Sequence, residues 1–98
     1  MTELPRHITR EQLADLLARE TSALAPALEA WWQRHRVDPF VGVANGVPHY
    51  VVAQDGDRVL FFADDEDEFA TGQLRANAIY GYGLIGDLRD AIRMQASA

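Results

Sequence analysis

The strongest constraint on this chain is a pair of tight-turn dipeptides, Asn45-Gly46 and Asp55-Gly56, ten residues apart and each flanked by apolar runs. Asn, Asp and Gly reach the positive φ angles that a type I′ turn needs, and such turns match the twist of the strands they join. Two-residue loops at both sites give a three-stranded antiparallel meander in which segment 40–44 pairs with 47–53, and that strand with 58–63. Val43 then faces Pro48 and Val41 faces Tyr50, while Ala53 faces Arg58, Val51 faces Leu60 and His49 faces Phe62. Pro48 has no N–H to offer the third strand, so that ladder is expected to end near Ala63.

Side chains alternate across a strand, which sorts the meander into two faces. Phe40, Ala44, Val47, His49, Val51, Leu60 and Phe62 fall on one, and Val41, Val43, Tyr50, Val52, Val59 and Phe61 on the other. A sheet with one wet face would alternate apolar with polar, whereas here both faces are apolar and both need cover. The expectation is that the N-terminal helices take one face, and that the last helix or a second copy of the chain takes the other. In the latter case the protein is a homodimer.

The helical region begins at Thr9, where Gln12 completes a capping box and Ile8 with Leu13 supplies a hydrophobic staple. Leu13, Leu16, Leu17, Leu24, Leu28 and Trp31 then form one apolar stripe from about residue 10 to 35. Pro26 interrupts it with either a kink or a break between two helices, and Pro39 pushes Asp38 out of the helical basin and ends the region. Beyond residue 68, alternation of Leu74, Ala76, Ala78 and Tyr80 suggests a fourth strand over 73–80. Leu84, Ile85, Leu88, Ala91 and Ile92 fit a short helix to about Met94, with Asp87 as its cap. The expected class is α+β: one or two N-terminal helices, a three- or four-stranded antiparallel β-meander and a C-terminal helix. A chain of 98 residues is the size of one such domain, residues 1–98.

Cysteine is absent, so thiol nucleophiles, disulfides and cysteine-ligated zinc drop out. Residues 1–6 lack the basic start and apolar run of a secretion signal, which leads to the expectation of a cytoplasmic protein. The nine basic residues are all arginine, set against fifteen acids for a net charge of −6. Five of those acids are consecutive, Asp64, Asp65, Glu66, Asp67 and Glu68, and the rest of the chain is close to neutral. An acidic surface repels phosphate and anionic lipid, so neither nucleic acid nor membrane is an expected partner.

Gly81-Tyr82-Gly83-Leu84-Ile85-Gly86 has the glycine spacing of a dinucleotide loop, but only twelve residues follow and cannot supply the second half of that pocket. Asp87 and Asp90 would also oppose a pyrophosphate there. The acidic run does not fit a calcium loop, because Phe69 stands where the sixth-position glycine belongs and Arg75 where the final glutamate belongs. His7, His35 and His49 are isolated, and Ser22 and Ser97 have no base beside them, so no catalytic constellation, cofactor site or metal site is expected.

A run of this kind is often merely solvated, yet five adjacent carboxylates repel one another, and a cationic surface relieves that repulsion and is steered toward it. The expected partner-binding surface is Asp64 to Glu68 with Phe69, together with Trp32, Tyr80 and Tyr82 as aromatic anchors. Trp31 shares the helix stripe, which leaves the adjacent Trp32 about 100° away on a flank, where it either fills the helix–sheet junction or serves as an exposed anchor for a partner. A small, acidic, cysteine-free α+β chain of this composition is similar in profile to bacterial inhibitor or immunity proteins, which neutralise a basic partner. The alternatives are a homodimeric accessory protein joined through an apolar sheet face, and a small-ligand binder or enzyme with a pocket near His49 and Tyr50.

Overall fold

A computed structural model describes residues 8–97, so His7 lies outside the described residues. Helices α1 (Arg10–Thr21) and α2 (Pro26–His35) precede five strands: β1 (Arg36–Ala44), β2 (Val47–Asp55), β3 (Arg58–Ala63), β4 (Glu68–Arg75) and β5 (Ala78–Gly86). Helix α3 (Leu88–Ala96) follows. Each strand pairs antiparallel with the next, and the meander curls until β1 meets β5 in a short parallel contact, Val43 with Ala78 and Ala44 with Ile79, which closes a barrel.

The helix start follows from its cap. Thr9 Oγ1 accepts from the Gln12 N–H at 3.1 Å while Gln12 Oε1 accepts from the Thr9 N–H at 3.0 Å, and Ile8 packs on the cluster that holds Leu13. Pro26 is the first residue of α2, where its absent N–H has no partner to lose, so the stripe is split between two helices. Trp32 is buried at the junction of helix and barrel rather than standing out as an exposed anchor, and Trp31 is its partly exposed neighbour.

The first hairpin has the expected register, with Val43 opposite Pro48 and Val41 opposite Tyr50. Asn45 and Gly46 take φ values of 53° and 78°, as a type I′ turn requires. The second hairpin is different. Its two-residue loop is Gly56-Asp57, one position later than expected, and Asp55 rather than Ala53 faces Arg58. Val52 forms an irregularity between the pairs Val51–Phe61 and Ala53–Leu60 that takes up one of the two positions of the shift, so Val51 faces Phe61 rather than Leu60, and Tyr50 rather than His49 faces Phe62. A one-residue slip moves every side chain of a strand to the opposite face. Leu60 and Phe62 therefore lie against the helices, and Val59, Phe61 and Ala63 fill the barrel with Ala44 and Val51.

Curvature answers the question of two apolar faces. The concave face is the barrel interior, filled by Phe61, Ile79, Val51, Val59 and small residues such as Ala44, Ala63 and Ala70. The convex face carries Val52, Ala53, Leu60, Phe62 and Phe69, and packs with Leu13, Leu24 and Trp32 of the N-terminal region and Leu88, Ala91 and Ile92 of α3. All three helices thus share one layer, and a single chain supplies cover for both faces.

Segment 73–80 is not one strand. A turn at Ala76-Asn77 divides it, with Ala76 at φ 55°, so β4 descends to Arg75 and β5 returns from Ala78. Leu84 and Ile85 belong to β5 rather than to the last helix, which begins after Asp87. Asp87 Oδ1 caps it by accepting from the Asp90 N–H at 2.9 Å, and Glu20 at the end of α1 accepts from the Leu88 N–H at 3.1 Å. A carboxylate at a helix start complements the dipole, so this contact ties α1 to α3.

Candidate functional site

The acidic run is an ordered four-residue turn between β3 and β4, closed by the pair Ala63–Glu68. The Glu66 N–H donates to the Ala63 carbonyl at 3.1 Å and the Asp67 N–H to the Asp64 carbonyl at 3.3 Å, after which Asp67 adopts φ 55°. Two successive turns followed by a left-handed residue give a tight hairpin connection. The backbone therefore holds the carboxylates against their mutual repulsion.

The five carboxylates divide by role. Asp64 is partly buried, and its Oδ2 accepts the Ile8 N–H at 2.6 Å, which ties the start of α1 to the barrel. Asp65, Glu66 and Asp67 are exposed and Glu68 is half-exposed at the start of β4. Among the described residues no arginine is within ion-pair distance of these four. Arg89 pairs with Asp87 and Asp90, and Arg93 with Asp90, at the start of α3.

The aromatic candidates divide as well. Phe69 is 2% exposed and packs its ring 5.0 Å from that of Phe62, and Trp32 is 3% exposed. Both belong to the helix–barrel core and offer no surface to a partner. Their burial has a simple cause: Phe69 alternates with Glu68 on β4, so when the acid faces water the ring faces the helices. Tyr80 and Tyr82 are 56% and 41% exposed, and lie on β5 with Leu84 at 43%.

These elements converge at one end of the barrel. A cavity of about 170 Å³ opens there between the ends of β1 and β3 and the start of β2, and is lined by His49, Phe61, Asp65, Glu66, Tyr82 and Leu84. Tyr82 stands edge-on to Phe61 with ring centroids 5.8 Å apart, and the His49 ring lies 5.4 Å from that of Phe61. The mouth thus has an acidic rim on the turn side and an apolar, tyrosine-bearing rim on the β5 side. Sequence reasoning named Tyr82 and the acids but missed Leu84, which it placed on a helix, and the part played by the Asn45-Gly46 turn as the third wall.

The other candidate side chains among the described residues lie apart from one another. His49 points toward the barrel interior and Tyr50 toward the helices, so the two diverge from β2. The cavity beside them, lined by Val41, Pro48, His49, Tyr50 and Asp64, has about 160 Å³, against roughly 300 Å³ or more for a typical small-molecule site. His35 stacks on Trp31 of its own helix at 4.6 Å. The Ser22 and Ser97 hydroxyls donate to the Arg19 and Met94 carbonyls at helix ends. The glycine-spaced segment 81–86 is strand β5, not a phosphate-binding loop. Among the described residues no group of three or more His, Asp or Glu side chains is placed to hold a metal ion, and no helix is long and apolar enough to cross a membrane. Searches against protein-family models, curated proteins and solved structures find no match to this chain.

Proposed function

We propose that this protein is a non-enzymatic binding module for a basic protein, of the inhibitor or immunity type, and that it docks through the mouth of its barrel. The observation that carries this reading is the placement of the acidic turn. Asp65 and Glu66 line the same opening as the exposed Tyr82 and Leu84, and Asp65 to Glu68 have no arginine partner among the described residues. Charged rim beside aromatic and aliphatic surface is the usual division of labour in a protein interface, where charge steers encounter and buried rings hold the complex. The ordered backbone of the turn limits the conformational entropy that binding would otherwise cost.

The test is affinity capture of basic proteins with two variants of equal charge. One replaces the turn acids (Asp65→Asn, Glu66→Gln, Asp67→Asn, Glu68→Gln), and the other replaces four exposed acids elsewhere (Glu11→Gln, Asp15→Asn, Glu29→Gln, Asp38→Asn). The reading requires a partner that is retained by the second variant, lost with the first and released by salt. Equal loss with both variants would reduce the interaction to net charge and defeat it.

A further inference from the structure

We propose that the partner engages this mouth by strand addition, with an extended segment of alternating basic and apolar residues pairing to the free edge of β5 along residues 80–86. The inference rests on the basic-partner reading above and adds the mode of recognition.

Strand β5 pairs with β4 from Ala78 opposite Arg75 to Gly86 opposite Phe69, with register shifts between Thr71 and Gln73 and between Phe69 and Ala70. On its other side it meets β1 only at Ala78 and Ile79, because β1 ends at Ala44 and the chain turns away at Asn45-Gly46. Residues 80–86 therefore present one backbone edge with no strand beside it among the described residues. A notch of about 510 Å³, lined by Val43, Asn45, Gly46, Tyr80, Gly81 and Tyr82, continues the line that β1 would have followed. Residues 80–84 are exposed without interruption.

Open edges are normally guarded by charge, proline or a bulge that discourages pairing. The other half-open edge here, the first part of β1, is guarded in all three ways: Arg36 and Asp38 supply charge, Pro39 lacks an N–H, and the register is irregular between Arg36 and Phe40. No residue of β5 is charged and none is proline. Both edges have an irregular register, so the contrast lies in charge and proline, and β5 is the edge that lacks both.

Charge decides the occupant. Asp65 and Glu66 share the mouth with Tyr82 and Leu84, so a segment laid along β5 passes the acidic turn. A second copy would bring its own acidic turn and a further net charge of −6, whereas a basic segment is attracted. Side chains of an added strand alternate, so basic residues can face the turn while main-chain hydrogen bonds to β5 supply affinity.

The probe is an eight-residue peptide of alternating lysine and valine, capped at both ends, with two isomers carrying N-methyl groups on all the lysines or on all the valines. Charge and side chains are identical in the three, but only alternate N–H groups of an added strand face β5. Binding is read by fluorescence anisotropy and by hydrogen–deuterium exchange of the whole protein. The expected result is protection of the residue 80–86 amides by the parent peptide and a loss of at least tenfold in affinity for one methylated isomer. If all three bind within twofold of one another, strand addition is wrong while basic-partner docking survives. Failure of all three to bind at low salt overturns both. Sedimentation supplies the remaining arm: a dimer that forms without peptide and dissociates in Gly83→Lys, where a side chain has open space, would overturn the proposal in favour of a second copy.

Discussion

Gly72→Ala tests whether the strands close a packed barrel. A methyl group at Gly72 would lie 2.6 Å from Ile79 Cγ2, 3.0 Å from Tyr82 Cβ and 3.3 Å from the Tyr80 carbonyl oxygen. Favourable carbon contacts begin at about 3.5 Å, so the overlap with Ile79 is close to 1 Å. Ile79 also lies close to β1, where a methyl group added at Gly42 would come within 2.8 Å of its Cδ1. Overpacking of this kind costs about 1–3 kcal/mol, offset in part by about 0.4–1 kcal/mol from the lower entropy of an unfolded alanine. The expected net loss is centred on about 1.3 kcal/mol, equivalent to roughly 5–10 °C in Tm for a chain of this size. Urea unfolding of Gly72→Ala, Ile79→Ala and the double variant measures the coupling. Ile79→Ala alone should cost about 2–5 kcal/mol, and in its background the Gly72 substitution should lose most of its penalty, for a coupling of about 1–2 kcal/mol. Additivity within about 0.5 kcal/mol would refute the packing described here.

Substitutions at four further positions test the rest of the account. Asp64→Ala removes a charge-assisted acceptor from the Ile8 N–H, so it should destabilise by about 1.5–3 kcal/mol with Asp64→Asn intermediate; hydrogen exchange should localise the loss to the start of α1. Ala76 has a left-handed φ of 55°, which disfavours any side chain, so Ala76→Gly should raise stability by about 0.5–1 kcal/mol and Ala76→Val should lower it, both read by thermal unfolding. Phe69→Ala should cost about 3–5 kcal/mol because the ring is buried, whereas Tyr80→Ala should stay within about 0.5 kcal/mol and act on binding instead; equal destabilisation by the two would mean that the core and the docking surface have been confused.

The parts of the fold legible in the sequence are those with local chemistry. Thr9 with Gln12, Asn45 with Gly46 and Asp87 each specify a cap or a turn through their own hydrogen bonds or φ preferences, and each is found where expected. The second hairpin was less determined. Gly56 can serve as either turn position, and the unbroken apolar run Tyr50 to Ala53 has no alternation to pin its phase, so the irregularity at Val52 left no trace in the pattern. Strand β5 was hidden because glycine has poor strand propensity and its neighbour Leu84 reads equally well as helix. The turn that precedes it was hidden because alanine is not a turn signal. Closure of the barrel was out of reach for a related reason, since it depends on Gly42 and Gly72 leaving room for Ile79 from three different strands. At the candidate site, the acidic run announced itself by composition. What composition could not separate was Asp64, which anchors α1, from the four carboxylates that face outward, or the exposed Tyr82 from the buried Phe69 and Trp32.

The docking claim is tested most directly by where a cationic ligand lands on the intact protein. In a nuclear magnetic resonance titration with a lysine-rich peptide at low salt, the account predicts amide shifts concentrated at Asp65 to Glu68 and at Tyr80 to Leu84, fading as salt is raised. Shifts spread evenly over the exposed acids of α1, α2 and α3, with none centred on the barrel mouth, would contradict it.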